Sequence, residues 1–88
     1  MNRAPNSIKH EAARLLGVKP ADVLMDHPTW KGKPWKGGHR ITVKGHNTAN
    51  SSIWFVNHPG YAQGHGKSFL AALADLATQI ERERVRHD

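Results

Sequence analysis

The chain contains no cysteine among its 88 residues. This excludes disulfide bonds, cysteine zinc ligands and thiol catalysis, and it favours a reducing, cytoplasmic location. Acidic residues are also few, since 7 Asp and Glu stand against 13 Lys and Arg, a formal net charge of +6. No run of about 18 apolar residues occurs, so no membrane-spanning helix is predicted. Residues 1–6 lack the apolar segment of a secretory signal.

The length predicts one small domain over residues 1–88, with residues 1–6 and 86–88 frayed. Hydrophobic residues make up 38% of the chain, and a chain of this size buries only about 60% of its unfolded surface. A scaffold so small has little room for a substrate pocket and a catalytic loop beside its core. We therefore predict a protein without enzymatic activity, catalytic residues or cofactor.

A first helix is predicted near the amino terminus. Ser7 is a candidate N-cap, and Gly17 fits the position that ends a helix. Between them the apolar residues Ile8, Ala12, Leu15 and Leu16 recur at helical spacing. Pro20 then predicts the first turn of a second short helix, which His27-Pro28 ends.

The second half of the chain predicts strands followed by a long helix. Arg40–Lys44 and Ser52–Val56 have strand character, and Tyr61–Gln63 is a candidate third strand. Ser68 is the candidate N-cap of a helix that extends to about Val85. Its apolar stripe consists of Phe69, Leu73, Leu76, Ala77 and Ile80. The predicted fold class is α+β: a small antiparallel sheet of two or three strands packed by the long C-terminal helix, with an N-terminal helix.

A basic segment without acidic residues lies between Trp30 and Arg40 and predicts a loop or an irregular edge hairpin. Lysines attract phosphates, and exposed indoles stack on bases. The candidate nucleic-acid-binding residues of this segment are Trp30, Lys31, Lys33, Trp35, Lys36, His39 and Arg40. The alternative is that both tryptophans pack against the sheet while the lysines only solvate the loop.

A glycine-rich segment precedes the long helix, and its residues are Gly64, His65, Gly66, Lys67 and Ser68. Glycines permit a tight approach to a helix N-terminus, whose free N–H groups can hold a phosphate. With the Ala/Leu-rich helix that follows, the segment resembles the double-stranded RNA-binding domain, which has an α-β-β-β-α order and a G-x-G-x-S-K-K signature. The resemblance implies that these five residues contact nucleic acid. The alternative is a glycine-rich start of a packed helix without phosphate.

The chain departs from that family at two places. Phe69 and Leu70 occupy the positions of the family's two phosphate-binding lysines, which leaves Lys67 alone. Gly38-His39 is an imperfect counterpart of the family's G-P-x-H loop.

Two further resemblances imply other roles. Ala13, Gly17 and Val23 resemble a helix-turn-helix core, in which a small residue and a glycine bring two helices together. Pro59-Gly60 and the following Gly64, Ser68, Ala72 and Leu73 resemble a HicB-type antitoxin core, which implies a small protein partner.

Other chemistry is excluded by spacing. The Gly66-Lys67-Ser68 triplet lacks the earlier glycine of a phosphate-binding loop, because Tyr61 stands there. No histidine pair has the H-x-H or H-x-x-x-H spacing of a zinc site, so no metal is predicted. The predicted function is a small basic nucleic-acid-binding protein, of RNA or DNA. The alternative is a protein-binding regulator or inhibitor, antitoxin-like or phage-encoded, that blocks a larger host enzyme.

Overall fold

The computed structural model describes residues 5–44 and 60–87. Two helices, α1 and α2, a 3₁₀ turn and five strands, β1 to β5, occur in this part of the chain. In chain order they are α1 Pro5–Leu16, the turn Pro20–Asp22, β1 Val23–Asp26, β2 Thr29–Trp30, β3 Lys33–Pro34, β4 His39–Lys44, β5 Tyr61–Gly66 and α2 Phe69–His87. The predicted strand Ser52–Val56 lies outside the described residues.

Helix α1 begins earlier than predicted and ends where predicted. It begins at Pro5, so the assignment of Ser7 as its N-cap was wrong. Proline fits the first turn, where its missing N–H has no helical partner to lose. At the other end Gly17 takes a φ of 67°, and the N–H of Val18 donates to the carbonyl of Ala13 at 3.0 Å. This bond satisfies one of the last carbonyls of the helix.

The segment after Gly17 forms a turn and a strand in place of the predicted second helix. Pro20–Asp22 is a single 3₁₀ turn, and the chain then extends into β1. Val23 pairs with Val43 of β4 across an antiparallel ladder. A helix-turn-helix requires a second helix at this point, and residues 18–26 do not form one.

The main sheet has three antiparallel strands in the order β1-β4-β5. Strand β4 confirms the strand predicted at Arg40–Lys44, and β5 extends the predicted Tyr61–Gln63 as far as Gly66. The glycines that were predicted to lead into the helix therefore belong to the end of a strand. Strands β2 and β3 form a separate two-stranded sheet.

Both helices pack on one face of the main sheet, which confirms the α+β class. The buried residues are Ile8, Ala12, Ala13, Leu16, Val23, Ile41, Val43, Ala62, Ala72, Leu73, Leu76 and Ile80. They include most of the stripe predicted for α2, in which only Phe69 and Ala77 stay half-buried. Neither α1 nor α2, over residues 5–44 and 60–87, is long and apolar enough to cross a membrane.

Candidate nucleic-acid interface

Part of the basic segment forms a hairpin, one of the two forms that the sequence predicts for it. Trp30 of β2 pairs with Lys33 of β3, and the two residues between them have φ values of 53° at Lys31 and 77° at Gly32. Positive φ at both positions is typical of the type I′ turn that joins tight hairpins. Trp30 is 65% exposed and both lysines are exposed. The alternative in which this tryptophan packs against the sheet is therefore wrong for Trp30.

The chain turns tightly between the hairpin and β4. The N–H of Trp35 donates to the carbonyl of Pro28 at 3.0 Å, and the N–H of Gly38 donates to the carbonyl of Trp35 at 3.0 Å. Lys36, Gly37 and Gly38 all have positive φ. The backbone bonds thus tie this turn to the base of the hairpin and leave Lys36 exposed.

This turn packs directly on the end of β5 and on Lys67, just before α2. A Cβ atom placed on Gly37 would lie 2.8 Å from the amide nitrogen of Lys67 and would also meet the carbonyl of Gly66. Only a glycine permits so close an approach. The structure therefore brings the two predicted segments, the basic hairpin and the glycine-rich stretch, side by side.

Trp35 lies between a histidine and a lysine. Its ring meets the ring of His65 edge-on, with 5.0 Å between centroids, and the Nζ atom of Lys36 lies 4.6 Å from the Trp35 ring centroid. The second contact is a cation–π interaction. Burial lowers the pKa of His65, and the positive charges of Lys36 and Arg40 lower it further. Trp35 is half-buried, so it offers less surface to a ligand than Trp30 does.

His39 packs inside an aromatic cluster that joins the hairpin base to α2. Its ring centroid lies 4.7 Å from that of His27 and 4.9 Å from that of Phe69. The Nδ1 atom of His27 lies 3.1 Å from the carbonyl oxygen of Gly38. Phe69, which stands where the resembled family has a lysine, is therefore a packing residue. His39 is half-buried in this cluster, so it is less accessible to a ligand than the exposed lysines of the basic segment.

Arg40 forms a salt bridge with Asp26, which lies outside the basic segment. Its Nε atom donates to Oδ1 of Asp26 at 2.9 Å, and a second bond joins Nη2 to Oδ2. These hydrogen bonds hold the pKa of Asp26 below its usual value and raise that of Arg40. The charge of Arg40 is therefore largely offset. Lys31, Lys33, Lys36 and Lys67 are exposed, and the described side chains form no ion pair with them.

The glycine-rich stretch has a structural role. The Oγ atom of Ser68 accepts from the N–H of Ala71 at 3.0 Å, which confirms Ser68 as the N-cap of α2. A Cβ atom on Gly66 would lie 2.6 Å from the Cβ of Ala71, and one on Gly64 would lie 2.9 Å from the Cβ of Leu76. Both glycines therefore let α2 pack closely on β5.

A groove between β5 and α2 was not predicted from the sequence. Its lining residues are Lys36, Tyr61, Ala62, Gln63, His65, Asp75 and Gln79. Tyr61 is 60% exposed. The alternation of Tyr61, Gln63 and His65 on one face of a strand was the available signal, but the glycines concealed the length of that strand.

The described part of the chain holds no cluster of three or more acidic or histidine side chains that fits a metal ion. The chain matches no protein-family model, no curated protein sequence and no solved structure with which it was compared.

Proposed function

We propose that this chain is a small, non-catalytic protein that binds nucleic acid. Its binding surface consists of the exposed lysines Lys31, Lys33, Lys36 and Lys67, which we call the basic surface, together with Trp30. The observation that carries the proposal is the contact of Gly37 with the peptide between Gly66 and Lys67. This contact puts Lys36 and Lys67 on neighbouring segments, although 30 positions separate them in the chain.

The charges around the basic surface favour a polyanion. Asp26 pairs with Arg40, which offsets its charge, whereas Asp75 lies in the groove beside Lys36 and accepts from the N–H of His65 at 2.9 Å. Exposed lysines that neutralise phosphates release condensed counterions, and this release drives most non-specific binding to nucleic acid. The exposed indole of Trp30 adds a ring on which a base can stack.

The order of the long elements supports the resemblance to the double-stranded RNA-binding domain. Within residues 5–44 and 60–87, helix α1, strands β1, β4 and β5, and helix α2 occur in the α-β-β-β-α order of that family, with the hairpin β2–β3 inserted between β1 and β4. The packed position of Phe69 argues that phosphate contacts come from the hairpin and Lys67 and not from the first turn of α2.

The salt dependence of binding tests the proposal. We expect the parent protein to bind a generic duplex or single strand at about 50 mM salt and to lose affinity steeply as salt rises. If each lysine of the basic surface neutralises one phosphate, the log–log slope on duplex DNA is about −3.6. Fluorescence anisotropy at several salt concentrations measures it. No binding of either form at about 50 mM salt would refute the proposal.

A protein partner is the second candidate, and an apolar groove between the helices favours it. Leu15 of α1 and Leu70 and Leu73 of α2 line this groove, together with Glu11 and Arg14 of α1. Leu70 is 47% exposed, so together with Leu15 and Leu73 it brings the apolar lining of this groove to the surface. A capture experiment with nuclease-treated lysate separates the two candidates, because a protein partner is retained by the parent and lost with Leu70→Glu.

A further inference from the structure

The groove between β5 and α2 continues the basic surface along the free edge of β5, where the open face of the sheet meets the side of α2. Side chains of β5 alternate, so Tyr61, Gln63 and His65 face away from the helices while Ala62 and Gly64 face the core. At about 3.3 Å per residue, Tyr61 and His65 are about 13 Å apart along the strand. Trp35 meets the ring of His65 and extends this row to Lys36.

The polar groups of the groove suit the edge of a base and not a phosphate. Oδ2 of Asp75 accepts from the N–H of His65 at 2.9 Å and from Nε2 of Gln79 at 3.1 Å. A carboxylate repels a phosphate, but it accepts hydrogen bonds from amino groups such as those of adenine and cytosine. Nε2 of Gln79 also donates to the main-chain carbonyl of Gln63 at 2.9 Å. This bond holds the side chain of Gln79 in place, and through it that of Asp75.

Tyr61 offers the surface on which a base stacks. Tyr61 is 60% exposed at the end of this polar row, beside Lys44 in the paired strand. In a duplex the faces of the bases are covered by their neighbours, so an exposed aromatic ring gains stacking only from an unpaired base.

We propose that this groove holds an unpaired nucleobase stacked on Tyr61, and that the protein therefore prefers single-stranded nucleic acid to duplex. The inference rests on the proposed function, since Lys36 and its neighbours supply the phosphate contacts. Phosphates lie on the basic surface, and the base beside them enters the groove toward Asp75.

The test compares a 12-nucleotide single strand with a 12-base-pair duplex, both binding to the parent, Tyr61→Ala, Tyr61→Phe and Leu24→Ala. Leu24 is a matched control, because it is 48% exposed on the same face of the sheet but on β1, at the far edge. Loss of one stacking contact weakens binding by about 5- to 150-fold. We expect this loss for Tyr61→Ala on the single strand alone, with Tyr61→Phe close to the parent.

Three outcomes contradict the inference in distinguishable ways. Equal losses for Tyr61→Ala and Leu24→Ala would mean that the groove holds no base. Tighter binding of the duplex than of the single strand by the parent would overturn the inference and leave the proposed function intact. No binding of either probe by the parent would remove the proposed function and the inference with it.

Discussion

Gly37 lies directly against the peptide that joins Gly66 to Lys67, so closely that a side chain on Gly37 would overlap the backbone of its neighbour. The contact connects a turn near the middle of the chain to the end of β5, just before α2. It fixes the position of Lys36 relative to Lys67, and it joins Lys67 to the other lysines of the basic surface. Its loss is expected to affect both the folding of the turn and the binding of polyanions.

The first prediction compares two glycines that share positive φ but differ in their surroundings. Gly32 has a φ of 77° with no atom within 4 Å of its Cβ position, whereas Gly37 has a φ of 97° and faces backbone atoms. Gly32→Ala is expected to cost only the strain of the left-handed conformation, about 1–2 kcal/mol. Gly37→Ala is expected to cost more, because the turn must also move away from α2. Thermal or urea denaturation measures both, and equal costs would contradict the contact.

The second prediction concerns the lysines of the hairpin. Replacing Lys33 and Lys36 together by Gln is expected to flatten the log–log salt slope on duplex DNA by about 1.8, because two phosphate contacts are lost. Sequence preference is expected to change little, since contacts to phosphates position a protein without specifying sequence.

The control for the lysine variant changes the net charge equally at another place. Lys9 lies on α1 and Lys19 lies between α1 and the 3₁₀ turn, outside the basic surface. Replacing this pair by Gln is expected to leave the slope close to that of the parent. The same flattening in both double variants would mean that net charge, and not the basic surface, drives binding.

The third prediction tests the core under α2. Leu76 is fully buried, so Leu76→Ala is expected to lower the free energy of unfolding by about 2–5 kcal/mol. Leu70 is exposed on the same helix, so Leu70→Ala is expected to change the free energy of unfolding by about 0.5 kcal/mol or less. Chemical denaturation followed by circular dichroism measures both. Similar values for the two variants would contradict the packing of α2 on the sheet.

The sequence predicted long elements well because their signals are local. The stripe of α2 repeats over several turns, and Ser68 caps the helix three residues before the N–H that it binds. Strand β1 was missed because its own residues carry only a weak local signal. Val23–Asp26 has only four residues, and Pro20 ahead of it suits a helix as well as a turn. Pairing with β4 decides between them, and pairing between distant segments leaves no local pattern.

The residues of the candidate site were predictable from the sequence, but the contacts that they make within the fold were not. The glycines and lysines left a loop or a hairpin open, and the exposure of Trp30 came only from the structure. The salt bridge of Arg40 depends on the register of β1 against β4, which the sequence did not reveal. The packing role of Gly66 likewise depends on how closely α2 approaches β5.

The last prediction concerns the titration of His65. Burial in the groove is the main cause that lowers its pKa below 6.5, Lys36 and Arg40 lower it further, and Asp75 and Asp26 act in the opposite direction. The unfolded chain therefore takes up the proton first as pH falls. The stabilising contribution of neutral His65 is complete above about pH 6.5 and is lost as pH falls below that value.

Lys36→Gln removes one nearby positive charge, so the pKa of His65 is expected to rise while staying below 6.5, because burial remains. Lys67→Gln serves as the control, since Lys67 is not among the charges that shift this group, and is expected to leave the pKa unchanged. Titration of the His65 ring protons by NMR measures all three proteins. A parent pKa at or above 6.5, or an equal rise in both variants, would contradict the position of Lys36 beside His65 on which the basic surface depends.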